Sequence, residues 1–291
     1  MRLLITGGSG FLGGYVLRAA AARGHHSVAL ARSPAAAAAV AALGAEPASG
    51  DLDQPGQLAG VFAAARCDVL LNLASLGFGH GPAIVAAAQQ AGIRRAVFVS
   101  TTAVTTTLGA PTKRTRLAAE QHIRGSGLDW TILRPTMIYG AAGDRNLSRL
   151  LALLARIPVL PVPGGARLQQ PVHVADVADA VLAAARRPGS AGSCYDVAGP
   201  RPHAFAELLA ICATAVASRT RLVPVPLAPL VAAARGYEQV SRHPRIRAEQ
   251  LQRLAEDKAF VIDAAVRDLG YAPRAFASGI RAEARELGLA R

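Results

Sequence analysis

A glycine-rich turn wedged between an apolar strand and an apolar helix constrains this chain more than any other feature. Thr6-Gly7-Gly8-Ser9-Gly10-Phe11-Leu12-Gly13 follows residues 3–6, which read as a strand, and opens residues 12–23, which read as a helix. The spacing is GxxGxxG, and each glycine has a task. Gly7 permits the tight turn, Gly10 lets the backbone approach a pyrophosphate, and Gly13 lets the helix pack on the strand. The start of the helix offers free N–H groups and about half a positive charge to a phosphate. Glycines alone would signal only turns. With a strand before them and a helix after, they predict a dinucleotide cofactor, with Gly8, Ser9, Phe11 and Leu12 as further contacts.

The rest of the chain supports this. Strand-like residues 27–31, 46–49, 68–73, 96–100 and 131–133 alternate with helix-like residues 34–43, 54–66, 82–91 and 116–124. Continuous apolar strands between helices predict an α/β fold, a doubly wound parallel (Rossmann) sheet covered on both faces. After Gly140 the rhythm changes. Residues 147–154 and 174–186 read as helices, 195–197 as a strand, and 158–165 as a loop. From Phe205 onward the chain reads as helical with proline interruptions at 223–229. The expected division is a cofactor domain over 1–140, with 171–200 returning to its sheet, and a smaller, mostly helical substrate lobe over 141–170 and 201–291. No linker is obvious, so the two parts are expected to share a ligand cleft.

Composition narrows the function classes. The chain has 291 residues, enough to bury a full core without disulfides or a structural metal. Its three cysteines, Cys67, Cys194 and Cys212, form no CxxC pair, which fits a reducing compartment. The start MRLLITGG lacks the pattern of a signal peptide, and Gly, Pro or Arg breaks every long apolar run. A cytoplasmic protein without a membrane span is the expectation. The net charge of +13 invites a nucleic-acid reading. However, the arginines are scattered, and the richness in Ala, Arg, Gly and Pro suggests codon bias. The expected partner is a small-molecule substrate, with no nucleic acid; a homodimer is left open. No His/Cys/Asp/Glu group has metal-ligand spacing, so no metal is expected.

Two positions bear on the kind of cofactor. The second strand runs into Arg32 and Ser33, where an NAD site would usually carry an acidic residue. Arginine suits a 2′-phosphate, so NADP is expected over NAD; a solvated loop arginine is the plain alternative. Asp51, with Leu52, would lie beside the adenine, or else cap a helix.

Across nearly its whole length the chain resembles the extended and atypical short-chain dehydrogenases/reductases, the NAD-dependent epimerase/dehydratase family. The resemblance rests on TGGSGFLG (6–13), GDL (50–52), NLAS (72–75), VSTTAV (99–104), LRPTMIYG (133–140), QQPVHVADVADAV (169–181) and LGYAPRAF (269–276). It implies that Leu73, Ala74, Ser75, Ser100, Pro135 and Thr136 line the cofactor. It also implies that Thr102, Met137, Arg145, Asn146 and His173 face the substrate, a nucleotide-linked or phosphorylated sugar or a similar small alcohol or ketone.

Relatives use a Ser or Thr after the fifth strand together with a Tyr-xxx-Lys pair on the next helix. The first maps to Thr101. Registering the helix by its glutamate, Glu120, places Arg116 at the lysine and Thr112 at the tyrosine. Threonine is too weak an acid for the tyrosine's task, and arginine stays charged. Arg116 could hold the cofactor ribose or a phosphate, or merely pair with Glu120 on the helix surface. The proton donor must then be sought among His80, Tyr139, Lys113 or a water held by Thr101. Two readings stay open: an NAD(P)-dependent enzyme, or an NAD(P)-binding sensor or subunit without turnover.

Overall fold

The computed structural model describes residues 1–107, 111–140, 143, 144, 146–240 and 256–290. Arg145, expected on the substrate side, lies outside the described residues. The described chain forms two compact units. One comprises Met1–Thr136, Val174–Val197 and Val261–Ala272; the other Met137–His173, Ala198–Phe260 and Pro273–Arg291.

The first unit is built on seven parallel strands. They are β1 (Arg2–Thr6), β2 (His26–Ala31), β3 (Glu46–Ser49), β4 (Val69–Asn72), β5 (Arg95–Val99), β6 (Asp129–Pro135) and, later in the chain, β11 (Ser193–Val197). Their order across the sheet is β3-β2-β1-β4-β5-β6-β11. This is the doubly wound order, and it reverses between β1 and β4, where such sheets leave a crevice at their carboxyl ends. The expected parallel α/β sheet is therefore present. Leu3, Leu4 and Ile5 of β1 and Leu70 and Leu71 of β4 are fully buried, as strands covered on both faces must be.

Helices α1 (Phe11–Ala22), α2 (Pro34–Ala41), α3 (Pro55–Ala65), α4 (Gly81–Gln90), α5 (Pro111–Arg124) and α7 (Val174–Arg186) belong to this unit. Helix α1 buries Gly13, Val16, Leu17 and Ala20 along one face, the spacing of an amphipathic helix. Ser33 starts α2 by accepting the Ala36 N–H, with Pro34 in the first turn. Asp51 does not cap α3, whose N-cap is Gln54. Its carboxylate instead accepts the Asp53 N–H two residues on, closing an Asx turn.

The second unit carries β7 (Ile138–Tyr139), β8 (Val159–Pro163), β9 (Leu168–Gln169), β10 (Val172–His173), β12 (His203–Ala204) and β13 (Arg221–Val225). Its helices include α6 (Leu147–Leu154), α8 (Phe205–Ala215), α9 (Leu227–Val240) and the helix Phe276–Glu286. Two expectations are corrected here. Residues 158–165 are not simply a loop, and the proline-interrupted stretch after Phe205 begins with a strand, Arg221–Val225. Strands β8 and β13 pair in parallel, with Pro161 beside Val223 and Pro224 beside Val162. Proline cannot donate to a ladder, so prolines in both strands restrict the pairing to a two-stranded ribbon.

Candidate active site

The glycine turn closes on itself before any ligand is considered. Gly7 has φ +72°, and a Cβ there would lie 2.8 Å from the Ala74 nitrogen. A Cβ on Gly13 would lie 2.2 Å from the Gly7 oxygen and 2.4 Å from the Gly8 oxygen, so this glycine gives way to the loop's own carbonyls. Gly10 differs. It is exposed, its N–H donates to Gly7 O at 3.1 Å, and a Cβ would meet only that oxygen, at 3.2 Å. A side chain at Gly10 would therefore fill the cradle without breaking the turn, and the unfilled cradle fits a pyrophosphate. Ser9 is exposed beside it, while Phe11 and Leu12 form the half-buried first turn of α1.

Buried Asn72, which the sequence reading missed, ties down the neighbouring loop. The Thr6 hydroxyl donates to its side-chain oxygen at 2.6 Å, and its amide donates to Ala74 O at 3.1 Å. The Leu73 N–H donates to Thr6 O, and Ser75 accepts the Gly77 N–H to start the short turn Leu76–Phe78. A cavity of about 390 Å³ lies at the carboxyl ends of β1 to β4. Gly7, Gly10, Arg32, Asp51, Leu52 and Ser75 face it, with Phe78, which is 75% exposed. Ser33, by contrast, spends its side-chain oxygen on the α2 cap. Arg32 is exposed at the end of β2 and makes no ion pair among the described residues.

His80 also lines this cavity. Its Nε2 lies 2.8 Å from Asp53 Oδ1, joining the loop after β4 to the loop after β3. Asp53 is a second residue the sequence reading missed. His80 Nδ1 is buried without a partner.

Beyond β5, of the two roles left open for Arg116, the ion pair with Glu120 is not formed among the described residues. Glu120 is buried and accepts the Ser100 hydroxyl at 2.6 Å and the Arg134 guanidinium at 2.5 and 3.1 Å, with Arg124 at 3.6 Å. Ser100 is thereby committed to the protein. Arg116 instead donates to the Thr112 hydroxyl one turn back and lies over Gly77, where a Cβ would be 3.1 Å from its guanidinium carbon. Burial pulls its pKa down, yet a guanidinium keeps its charge at neutral pH. Lys113 donates to Thr106 O. Thr101 Oγ1 accepts the Ala103 N–H at 3.2 Å, which leaves the hydroxyl hydrogen to be placed. Thr102 is buried and reaches Pro135 O at 3.4 Å, and the Thr136 N–H donates to Val197 O.

The remaining candidates lie in the second unit. Tyr139 is 1% exposed and stacks edge-on against His173 and Phe276, with ring centroids 5.3 and 5.2 Å away. A Cβ on Gly279 would fall 2.3 Å from its hydroxyl oxygen. His173 is buried, and desolvation, with the Arg274 charge, lowers its pKa to about 4, so it is neutral. Met137 packs on the same apolar cluster, and Asn146, at the N-cap position of α6 without a side-chain cap bond, donates its N–H to Asp144 at 2.6 Å.

Residues 7–188 match the NAD(P)H-binding family. The chain belongs to that family. This NAD(P)H-binding protein is 32% identical to the 4-hydroxy-2-methyl-3-oxo-4-farnesyl-3,4-dihydroquinoline-1-oxide ketoreductase of Stigmatella aurantiaca, over 94% of this chain and 92% of that one. It is 26% identical to the NAD(P)H azoreductase of Xenophilus azovorans, over 77% of each. Its fold matches a UDP-glucose 4-epimerase of Thermotoga maritima with TM-score 0.77 at 14% identity, over 99% of both chains. The chain is thus an NAD(P)H-binding family member related in sequence to a ketoreductase, and it shares its fold with an epimerase. Among the described residues no helix is long and apolar enough to cross a membrane.

Proposed function

We propose that the protein is an NADPH-dependent ketoreductase for a small ketone. Kinship with a ketoreductase along almost the whole chain supports the reaction class. The observation that carries the cofactor side is the cradle at Gly10, which a Cβ would fill. Gly7 to Gly13 hold the pyrophosphate, Arg32 takes the 2′-phosphate, and Leu73 to Ser75 form the adjoining wall. When bound, the reduced nicotinamide supplies a hydride to the carbonyl carbon. The chain's part is to orient the ketone, exclude water and support the carbonyl oxygen as negative charge develops on it. Thr101 donates its unspent hydroxyl hydrogen to that oxygen, and water delivers the proton. Arg116, held by Thr112 over Gly77, gives the ribose side a fixed positive charge.

One observation favours a second reading. Arg116 donates to Thr112 at the two positions to which the family resemblance assigns a Tyr-Lys pair, which suits a cofactor-binding subunit without turnover. A screen of aromatic and aliphatic ketones and sugar nucleotides with NADPH decides. Consumption of NADPH with a ketone supports the reductase. Consumption only with sugar nucleotides replaces the substrate class, and tight cofactor binding without turnover favours the subunit.

NADPH should stabilise the protein more than NADH. At 100 times its dissociation constant a ligand contributes about 2.7 kcal/mol, a rise of roughly 5–10 °C in Tm for a chain of this size. Arg32→Ala should cut the NADPH shift and leave the NADH shift alone, measured by thermal denaturation. Equal shifts in the unmodified protein would remove the role of Arg32, and a larger NADH shift would reverse it.

A further inference from the structure

Phe78 stands apart from the turn that carries it. The short helix Leu76–Phe78 is held at several points. Leu76 is buried, the Gly77 N–H donates to the Ser75 hydroxyl oxygen at 3.2 Å, and the Arg116 guanidinium lies over Gly77. Gly79 ends the turn at φ +87°, a left-handed conformation that suits glycine. His80 then ties the loop across to Asp53, with Nε2 2.8 Å from Oδ1. His80 Nδ1 is buried and has no partner among the described residues, so Asp53 is what fixes that ring.

A turn fixed in this way presents Phe78, 75% exposed, to the same cavity as Arg32 and the glycine turn. The phenyl ring is tilted 51° to the His80 imidazole, with centroids 6.2 Å apart. A held, exposed aromatic face on a ligand cavity offers flat apolar area that is gained when a planar ring covers it. The cavity says which ring. The glycine turn takes a pyrophosphate and Arg32 a 2′-phosphate, and in NADPH one ribose carries both. That sugar also carries the purine, which therefore belongs to this cavity. Thr101, which the reductase reading sets at the reacting end, does not line it.

We propose that Phe78 is the platform on which the purine ring of the cofactor stacks, and that the bond between His80 and Asp53 holds the platform in place. The proposal rests on the NADPH reading only in taking Arg32 as the 2′-phosphate site. Stacking needs a π face and no particular hydrogen-bond pattern, which a phenylalanine supplies. Because the turn is already fixed, little freedom is lost when the purine arrives. Asp53 is a positioning residue, since it acts on the purine through His80 and the turn.

The test uses adenosine 2′,5′-bisphosphate, which carries the purine and the 2′-phosphate and no nicotinamide. Calorimetric titration gives its dissociation constant for the full-length protein and for Phe78→Ala, Phe78→Leu and Phe78→Tyr. Phe78→Ala should bind about 5- to 150-fold more weakly, the range for one base stacked on one aromatic side chain. Phe78→Tyr keeps the ring and should stay within about threefold of the unmodified protein. Without ligand, the Tm of Phe78→Ala should move by no more than about 2 °C, because the side chain removed is exposed. Asp53→Ala frees the loop and keeps the phenyl ring. It should weaken binding by a smaller factor and add almost nothing in the Phe78→Ala background, a coupling that a merely structural role would not give. Binding by Phe78→Ala within about twofold of the unmodified protein overturns the proposal, as does an equal loss in Phe78→Tyr and Phe78→Ala. Fully additive losses in the double variant overturn the role of Asp53. If Phe78→Ala fails to fold, Phe78→Leu against Phe78→Tyr makes the same comparison. Unchanged binding of the bisphosphate in Arg32→Ala overturns the NADPH reading, and a failed ketone screen overturns the ketoreductase reading; neither alters the contrast among the Phe78 variants.

Discussion

Gly10→Val abolishes NADPH binding and leaves the protein folded, whereas Gly13→Ala destabilises it before any cofactor is added. The two glycines stand three residues apart in one turn, yet they answer to different neighbours. At Gly10 the only atom a Cβ meets is the Gly7 oxygen, 3.2 Å away, and a shift of a few tenths of an ångström relieves it. The valine methyls then occupy the exposed side of the turn, where the pyrophosphate would sit. At Gly13 the added Cβ lies 2.2 and 2.4 Å from two backbone oxygens of a turn already closed by the Gly10 N–H on Gly7 O. Backbone cannot rotate away as a side chain can. Overpacking of this kind costs about 1–3 kcal/mol. At 2–4 °C per kcal/mol, Tm should fall by roughly 2–12 °C. Circular dichroism melts and NADPH titrations of both variants separate the effects. Undiminished binding in Gly10→Val would remove the cradle from the cofactor site. An unchanged Tm in Gly13→Ala would contradict the packing of the turn.

This contrast also marks what the sequence could disclose. Gly7, Gly10 and Gly13 are legible because a tight turn, a strand before it and a helix after it all lie within a few residues. The sheet follows from apolar runs such as Leu3-Leu4-Ile5, whose burial depends on composition more than on partner choice. Features set by distant partners were not legible. Residues 159–163 contain two prolines and read as a loop until Arg221–Val225 pairs with them. Glu120 served to register the helix and suggested an ion pair with Arg116. Its real partners, Ser100 just after β5 and Arg134 in β6, draw it inward. Glu283, between Arg281 and Arg285 in sequence, has the local pattern of a solvated helix. Only the packing of Phe276–Glu286 turns it into the core. Asp53 gave no local signal at all, since its partner His80 lies 27 residues on.

Thr101→Ala lowers kcat/KM for the ketone by about 10²–10³-fold and leaves NADPH affinity unchanged, the loss expected for one donor to a developing oxyanion. The alternatives are each held elsewhere. Tyr139 is 1% exposed, with its ring between His173 and Phe276 and no room for a Cβ on Gly279 above its hydroxyl. Tyr139→Phe is therefore expected to alter stability more than rate. His80 is held by Asp53 on the wall of the Arg32 cavity, so His80→Ala should weaken cofactor binding and spare kcat. Lys113 donates to Thr106 O and is expected to matter for the backbone there. Steady-state rates and NADPH titrations on the three single variants sort these roles. A kcat loss of about 10² or more confined to His80→Ala or Tyr139→Phe would move the proton donor to that residue and sink the assignment to Thr101. The double variant Thr112→Tyr, Arg116→Lys asks the complementary question. It removes the bond that now joins the two positions and supplies the pair that relatives use. A faster variant would mean that the site still fits the tyrosine mechanism. A slower one, with NADPH still bound, is the expected result, because the guanidinium lying over Gly77 is then part of how this protein holds the ribose side.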